Sequence, residues 1–534
     1  MKYWRNDQGM KVLLVKTGAR FSDHVQPSLG IAYVAGSLLG DHEVAVLDFG
    51  MIRRSEDAFR AALRSSQAGV VGFQCYTSEI GEVKRLLEIT RQELPKAVVV
   101  AGGPNPTLCP EETMLKLGPG VDYLLRGETE ESFPLFLENI SDKKAFPEIP
   151  GLVWRDGGKL RVNPAKLVAD INALPFPAWS LIKPQEYPPA QHGAFFKQFP
   201  IAPIITTRGC PFSCSFCAGP VLSGTVIRMR SAESVMKEIE LLYGDFGIRE
   251  IHIVDDNFTL NKGHAVSILK KIIDSKLPIS LAFPNGVRLN TLDEELLELM
   301  KKSGVYLVTV GIESGSDETL KRMDKQLTVK LIREKVELIN RKGIDIAAFF
   351  IVGFPGDTEC DIRKSIELSL ELPLLRAQYL AFLPLPMTPA REMLEKSGEI
   401  GSIDISDLMF QNVPYAPKGM TRRQIKNMQR EAFLRFYLRP RVLLKNLRQV
   451  GSLRHIWYLA KRVYHWMSIC DPISRKKLRG AAGNMSGVKE TEGGRFMNPA
   501  VVYESISKRA SGETPPNDYM SEVIIKNIGV NHAP

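Results

Sequence analysis

The chain has 534 residues, 44% of them hydrophobic and 24% charged, with a net charge of +10 and seven cysteines. This balance excludes a wholly disordered chain and a disulfide scaffold, and it leaves room for two or three domains. No apolar run reaches the ~18–20 residues that span a bilayer. The opening Met1-Lys2-Tyr3-Trp4-Arg5-Asn6-Asp7 lacks the apolar core of a signal peptide, so a cytoplasmic location is expected.

Residues 1–140 alternate short β-branched runs with amphipathic ones. Strands are predicted at Lys11–Lys16, Glu43–Asp48, Gly69–Gln74, Ala97–Gly102 and Val121–Leu125. Helices are predicted near Leu29–Leu39, Glu56–Arg64, Glu79–Glu93 and Glu130–Glu138. Five β-α units with buried strands predict an α/β, doubly wound, Rossmann-like parallel sheet. Ligands of such sheets sit in the loops beyond the strand carboxyl ends. Those loops carry Ser28-Leu29-Gly30, Gln74 with Thr77-Ser78, Gly102-Gly103-Pro104 and Gly127-Glu128. Glycines and small polar side chains allow a broad polar ligand to approach the backbone closely, though tight turns alone use the same residues.

Residues 141–200, with Leu174-Pro175-Phe176-Pro177-Ala178 and Tyr187-Pro188-Pro189, read as a connector that wraps between domains without forming a layer. A second β-α alternation fills residues 201–415. Its strands are predicted at Ala202–Thr206, Glu250–Val254, Ile279–Phe283, Val305–Ile312, Asp345–Val352 and Gln378–Phe382. Six parallel units predict a partial (β/α)6 barrel with its chemistry at the strand carboxyl ends. Thr291-Leu292-Asp293-Glu294 is the expected capping box of the helix over Leu292–Lys302.

The loop after the first barrel strand contains Cys210, Cys214 and Cys217, spaced C-x-x-x-C-x-x-C, with Phe216 before the last. Three thiolates on one loop can hold three irons of a cubane cluster and leave the fourth open to a small molecule. Structural zinc would want a second Cys/His pair, and Cys75, Cys109, Cys360 and Cys470 are scattered. Later strand ends bring Asp255-Asp256, Asn285 with Arg288, Glu313-Ser314, and Gly353 with Pro355. Adjacent carboxylates suit magnesium or a basic group, or stand as solvated loop acids. A carboxylate and a hydroxyl at a strand end suit ribose hydroxyls and an ammonium group.

The cysteine spacing with Phe216 resembles the signature of the radical S-adenosylmethionine superfamily. With the Gly102-Gly103-Pro104 and Gly127-Glu128 turns upstream, residues 10–415 resemble its cobalamin-binding branch, the class B methyltransferases and the anaerobic magnesium-protoporphyrin monomethyl ester cyclases. The resemblance implies a 4Fe-4S cluster on Cys210, Cys214 and Cys217, with S-adenosylmethionine on the open iron and cleaved to a 5′-deoxyadenosyl radical. It also implies cobalamin in the first domain. The D-x-H-x-x-G motif of methionine-synthase-type cobalamin proteins is absent, so cobalamin is expected without a histidine axial ligand, with His24 and His42 read as surface residues. The implied activity is a C-methyltransferase that passes a methyl group through methylcobalamin to a substrate carbon radical. Two alternatives stay open: an oxidative cyclase or rearrangement enzyme, and a cobalamin-free radical protein that modifies lipid or binds a cofactor. The substrate is expected to be a small molecule or lipid, and the electron donor a flavodoxin or ferredoxin.

Between Thr421 and Gly480, sixteen Lys/Arg face only Glu431 and Asp471. Residues 416–480 therefore read as basic helices that either pack their apolar face on the barrel, the favoured reading, or lie on the inner membrane face. No nucleic-acid partner is expected, because no reading module accompanies the charge. Residues 481–534 read as a disordered tail.

Overall fold

The computed structural model describes residues 9–18, 25–51, 55–189, 196–401, 403–409 and 412–448. His24, residues 449–480 and the tail 481–534 lie outside them.

The first sheet is built from β1 (Lys11–Lys16), β2 (Glu43–Asp48), β3 (Val70–Gln74), β4 (Val98–Gly102), β5 (Tyr123–Leu125), β6 (Leu152–Asp156) and β7 (Lys159–Val162), in the order β2-β1-β3-β4-β5-β6-β7. Strands β1 to β5 are parallel. Alternate side chains leave for opposite faces, as the two-residue period of a strand requires. Val12 and Leu14 join one apolar cluster with the helices Leu29–Leu38 and Ser132–Asn139, while Leu13 and Val15 join another with Glu56–Ser66 and Ile80–Glu93. This is the doubly wound sheet the sequence predicts. One correction concerns the connector: β6 and β7 form an antiparallel hairpin that extends the sheet beyond residue 140. Its signal was the Asp156-Gly157-Gly158 turn between alternating Leu152-Val153-Trp154 and Leu160-Arg161-Val162. A second difference is the pair of helices Pro104–Leu108 and Pro110–Leu117, which the proline-rich loop hides from periodicity.

The barrel sheet comprises β8 (Ile201–Ile204), β11 (Glu250–Ile253), β12 (Ser280–Val287), β13 (Val305–Glu313), β14 (Asp345–Val352) and β15 (Arg376–Ala381). Between the first two lies a short antiparallel ribbon of β9 (Thr207–Arg208) and β10 (Arg228–Met229). The order β15-β14-β13-β12-β11-β8 is parallel throughout and open at both edges, a partial barrel. Below the strands, buried Glu250 accepts from Lys197 N, Gln198 N and Tyr306 Oη at 2.6–2.8 Å and pairs with His252, closing the amino-terminal end. The expected capping box is replaced by a simpler cap. Asp293, two residues later, accepts from Leu296 N at 2.9 Å, while Thr291 bonds back to Arg288 O at 2.7 Å.

The basic helix Arg422–Tyr437 buries Ile425, Met428, Ala432 and Phe436 and covers the free edge of β15, where Tyr437 Oη meets Ala377 N and O at 3.3 and 3.1 Å. Within the described residues, its apolar face packs on the barrel and its cations face outward. No described helix is long and apolar enough to cross a membrane.

Candidate functional site

The strand carboxyl ends of the two sheets face each other across a cavity of about 370 Å³, within the range of small-molecule sites. Its floor is Leu14, Gly72, Gln74, Val100 and Leu125 from four parallel strands, at the β1/β3 switch point where the strand order reverses. Its opposite wall comes from the barrel: Thr207, Arg208, Leu222, Val254 and Asp256.

Of the residues expected in the first domain, Gly30, Gln74, Gly102, Gly103, Pro104, Gly127 and Glu128 line this cavity. Ser28 stands one step behind, donating to Gln74 Oε1 at 2.8 Å, and Leu29 is buried at the start of its helix. Thr77 and Ser78 sit in a short 3-10 turn and do not reach the cavity; Tyr76, just before them, does. Gly103 has φ +104°, and a Cβ there would stand 3.3 Å from Cys75 O, so the loop needs glycine. The glycine-bared backbone, the apolar floor and the amide of Gln74 suit a broad ligand with polar groups at its edge. His42 lies before β2, at the far end of the sheet, where its Nδ1 accepts from Met10 N at 3.2 Å.

The cysteine loop leaves β9 through Gly209, whose φ of +97° and contact with Val226 O (2.4 Å from a built Cβ) exclude any side chain. It is held by three other strand-end loops. Ser215 N donates to Met323 O and Ala390 N to Ser215 O, each at 2.9 Å, and Gly209 N donates to Asp256 at 3.3 Å. Cys214 is buried, while Cys210 and Cys217 are half-buried. Burial pushes the Cys217 thiol up to about 11 and raises Cys210 as well. Among the described residues, no three His, Cys, Asp or Glu side chains converge on one point as a single-ion site. A cubane takes each thiolate to a different iron and asks for no such convergence, so the donor set fits a cluster.

Around the loop, Asp255 is turned inward and accepts from Thr206 N (2.6 Å), Thr206 Oγ (2.5 Å) and Thr207 Oγ (2.9 Å), tying β11 to the base of the loop. Asp256 faces the cavity. Asn285 is exposed and donates to Val254 O at 2.8 Å. Glu313 has φ +65°, a left-handed conformation rare for a non-glycine residue, beside an irregularity in the β13/β14 register. Its carboxylate meets Lys325 Nζ at 2.8 Å. Lys325, whose ammonium lies 5.6 Å over the Phe216 ring, is a residue the sequence reading missed. Ser314 bonds to Ser365, and Gly353 packs against Ile425, while Pro355 is buried; none of the three lines the cavity.

Burial pushes the Asp255 carboxyl up to about 6 from an ordinary 3.8, against the pull of its threonine donors. The folded chain then takes up this proton before the unfolded chain does, so its stabilising effect is full below about 4 and is lost as pH rises through 6. The stability advantage of wild type over Asp255→Asn should therefore grow as pH falls from 6 towards 4 in urea titrations. A gap independent of pH would contradict this account.

A doubly wound sheet joined at its ligand face to a partial barrel bearing a three-cysteine loop defines a radical enzyme with a second, nucleotide-like cofactor domain. Family comparison agrees: residues 204–369 match the Radical SAM superfamily and residues 18–137 the B12 binding domain. The chain thus carries a B12-binding domain followed by a Radical SAM domain. It is 29% identical over 466 residues to an uncharacterised methyltransferase of Pyrococcus horikoshii, spanning 84% of this chain and 99% of that one. It is 25% identical over 440 residues to the anaerobic magnesium-protoporphyrin IX monomethyl ester cyclase of Cereibacter sphaeroides, spanning 80% and 70%. Among solved structures it is similar to OxsB, a cobalamin-dependent S-adenosylmethionine radical enzyme determined with aqua-cobalamin and S-adenosylmethionine, with a TM-score of 0.67, 16% identity and coverage of 97% and 81%.

Proposed function

We propose that this protein is a C-methyltransferase that uses a 4Fe-4S cluster on Cys210, Cys214 and Cys217, S-adenosylmethionine and cobalamin without a histidine axial ligand. The observation that carries the reading is a shared cavity walled by the B12-binding loops on one side and by Thr207, Arg208 and Asp256 beside the cysteine loop on the other. When bound, these groups supply one-electron cleavage of S-adenosylmethionine and a carrier for the methyl group. The chain's own part is to position and enclose. Gly102 and Gly103 let the carrier approach β4, Gln74 offers an amide to its periphery, and the cysteine loop fixes the radical source across the cavity. A one-electron reductant of the flavodoxin or ferredoxin class feeds the cluster.

Oxidative cyclisation is the second reading, favoured by the similarity to the cyclase. The two differ in products. Methyl transfer yields S-adenosylhomocysteine and 5′-deoxyadenosine in equal amounts with a methylated product, and a reaction without S-adenosylhomocysteine would overturn our reading. Gly103→Val should abolish uptake of hydroxocobalamin during anaerobic reconstitution, read as loss of stoichiometric cobalt absorbance at unchanged iron content. Uptake equal to wild type would remove the carrier from this cavity.

A further inference from the structure

Arg288 is 9% exposed, yet among the described residues its guanidinium has no carboxylate partner. Its hydrogen bonds go to neutral groups and to sulfur. Nε donates to Asn290 Oδ1 at 3.1 Å, Nη2 to the Lys325 carbonyl, and Nη1 to Cys214 Sγ at 3.4 Å. The guanidinium carbon lies 3.5 Å from the centre of the ring of Phe212, within the cysteine loop itself. The other cation nearby, Lys325, is already matched by Glu313 at 2.8 Å. A buried cation without a counter-ion is costly. The anion that this arrangement awaits is the charge gathered at the cysteine sulfurs.

We propose that Arg288 is a positioning residue that supplies the fixed counter-charge of the cysteine loop and thereby raises the reduction potential of the cluster held there. This rests on the cluster reading above. Reduction adds one electron, from an external reductant, to an already negative assembly of thiolates, sulfides and irons. A fixed positive charge and a hydrogen bond at a ligating sulfur stabilise the reduced form more than the oxidised one. The sequence brings Arg288 to the end of the third barrel strand as a cofactor-site candidate, and in the structure it donates to Cys214 in the cysteine loop.

The test is a potentiometric titration of the full chain, reconstituted anaerobically with iron and sulfide and followed by the electron paramagnetic resonance of the reduced cluster, without S-adenosylmethionine. At the potential where half of the wild-type cluster is reduced, Arg288→Gln should show a reduced-to-oxidised ratio at least about tenfold lower, as expected for loss of a nearby buried charge. Arg288→Lys, which keeps the charge, should stay nearer to wild type. Equal titration of Arg288→Gln and wild type would overturn the proposal, as would a Lys variant displaced as far as the Gln variant. If Arg288→Gln assembles no cluster, Phe212→Leu decides: it keeps the charge but frees it, and a smaller shift in the same direction is expected, while none overturns the proposal. A wild-type protein without a 4Fe-4S signal would instead sink the cluster reading itself, so the two failures are distinguishable.

Discussion

Replacing Cys214 by alanine should abolish 5′-deoxyadenosine formation altogether. Cys214 is the buried member of the three-cysteine set, closing a turn in which Cys217 N donates to Cys214 O at 3.0 Å. Losing one of three thiolates leaves an iron without its protein ligand. Among the described residues, no group of three His, Cys, Asp or Glu side chains forms a separate single-ion site. The effect is therefore expected to be all-or-none in both iron content and product, rather than a graded loss of rate. The fold should survive, because the loop's ties to Met323 and Ala390 run through Ser215 backbone atoms that the substitution leaves alone. Retained deoxyadenosine formation by a folded Cys214→Ala protein would overturn the radical assignment.

The second large effect is expected at the domain junction. Glu128 was read from the sequence as a cofactor residue. It does line the cavity, but its carboxylate is bound to the barrel: Arg228 approaches through Nη1 at 2.5 Å and Nη2 at 2.8 Å, and Arg208 lies at 3.5 Å. Val168 N donates to the same group at 2.7 Å. Glu130 adds a bond from Arg208 at 2.7 Å, and the Arg208 guanidinium lies 5.0 Å from the Tyr33 ring centre. These pairs are almost wholly buried. Glu128→Ala strands a buried guanidinium, a change that costs on the order of 3–5 kcal/mol. Urea denaturation should show that loss, with the two domains unfolding in separate transitions. Glu128→Ala/Arg228→Met should recover a large part of it, since removing both partners leaves no unpaired charge. A Glu128→Ala protein as stable as wild type would show that the junction is held by apolar contact alone.

Such contact is extensive. One continuous apolar cluster runs from Leu14 and Val100 in the first sheet, through Trp179, Ile182 and Tyr187 of the connector, to Ile204 and Ile251 in the barrel. Trp179 Nε1 donates to the barrel's Glu238 at 3.0 Å and Tyr187 Oη to Asp48 of β2 at 2.6 Å. The connector thus touches both domains while the charged pairs at the cavity rim fix their register. That division of labour sets the distance between the two cofactor loops, which the proposed methyl transfer would require.

Much of this was legible along the chain. The eleven predicted parallel strands stand within about two residues of their observed positions at most boundaries, because β-branched runs between amphipathic helices leave few other ways to bury both faces of a sheet. The cysteine loop was legible because its ligands lie within eight residues and need no tertiary partner to be recognised. The hairpin of β6 and β7 was overlooked because proline-rich flanks outweighed a short alternating signal.

The roles of single side chains were a different matter. Asp255 and Asp256 are neighbours with the same chemistry, yet one is buried as a tether and the other faces the cavity, since consecutive residues at a strand end point to opposite sides. Lys325 and Arg208 gave no local signal, because each acquires its partner, Glu313 or Glu130, from a different turn or domain. By itself the sequence determined the two sheets and the three-cysteine loop, whose patterns are local in the chain. Only the tertiary structure decided which charges meet at the junction, and that Arg288 is directed to Cys214, seventy-four residues away. Pairing across such distances depends on how the elements pack, which no short window of sequence contains.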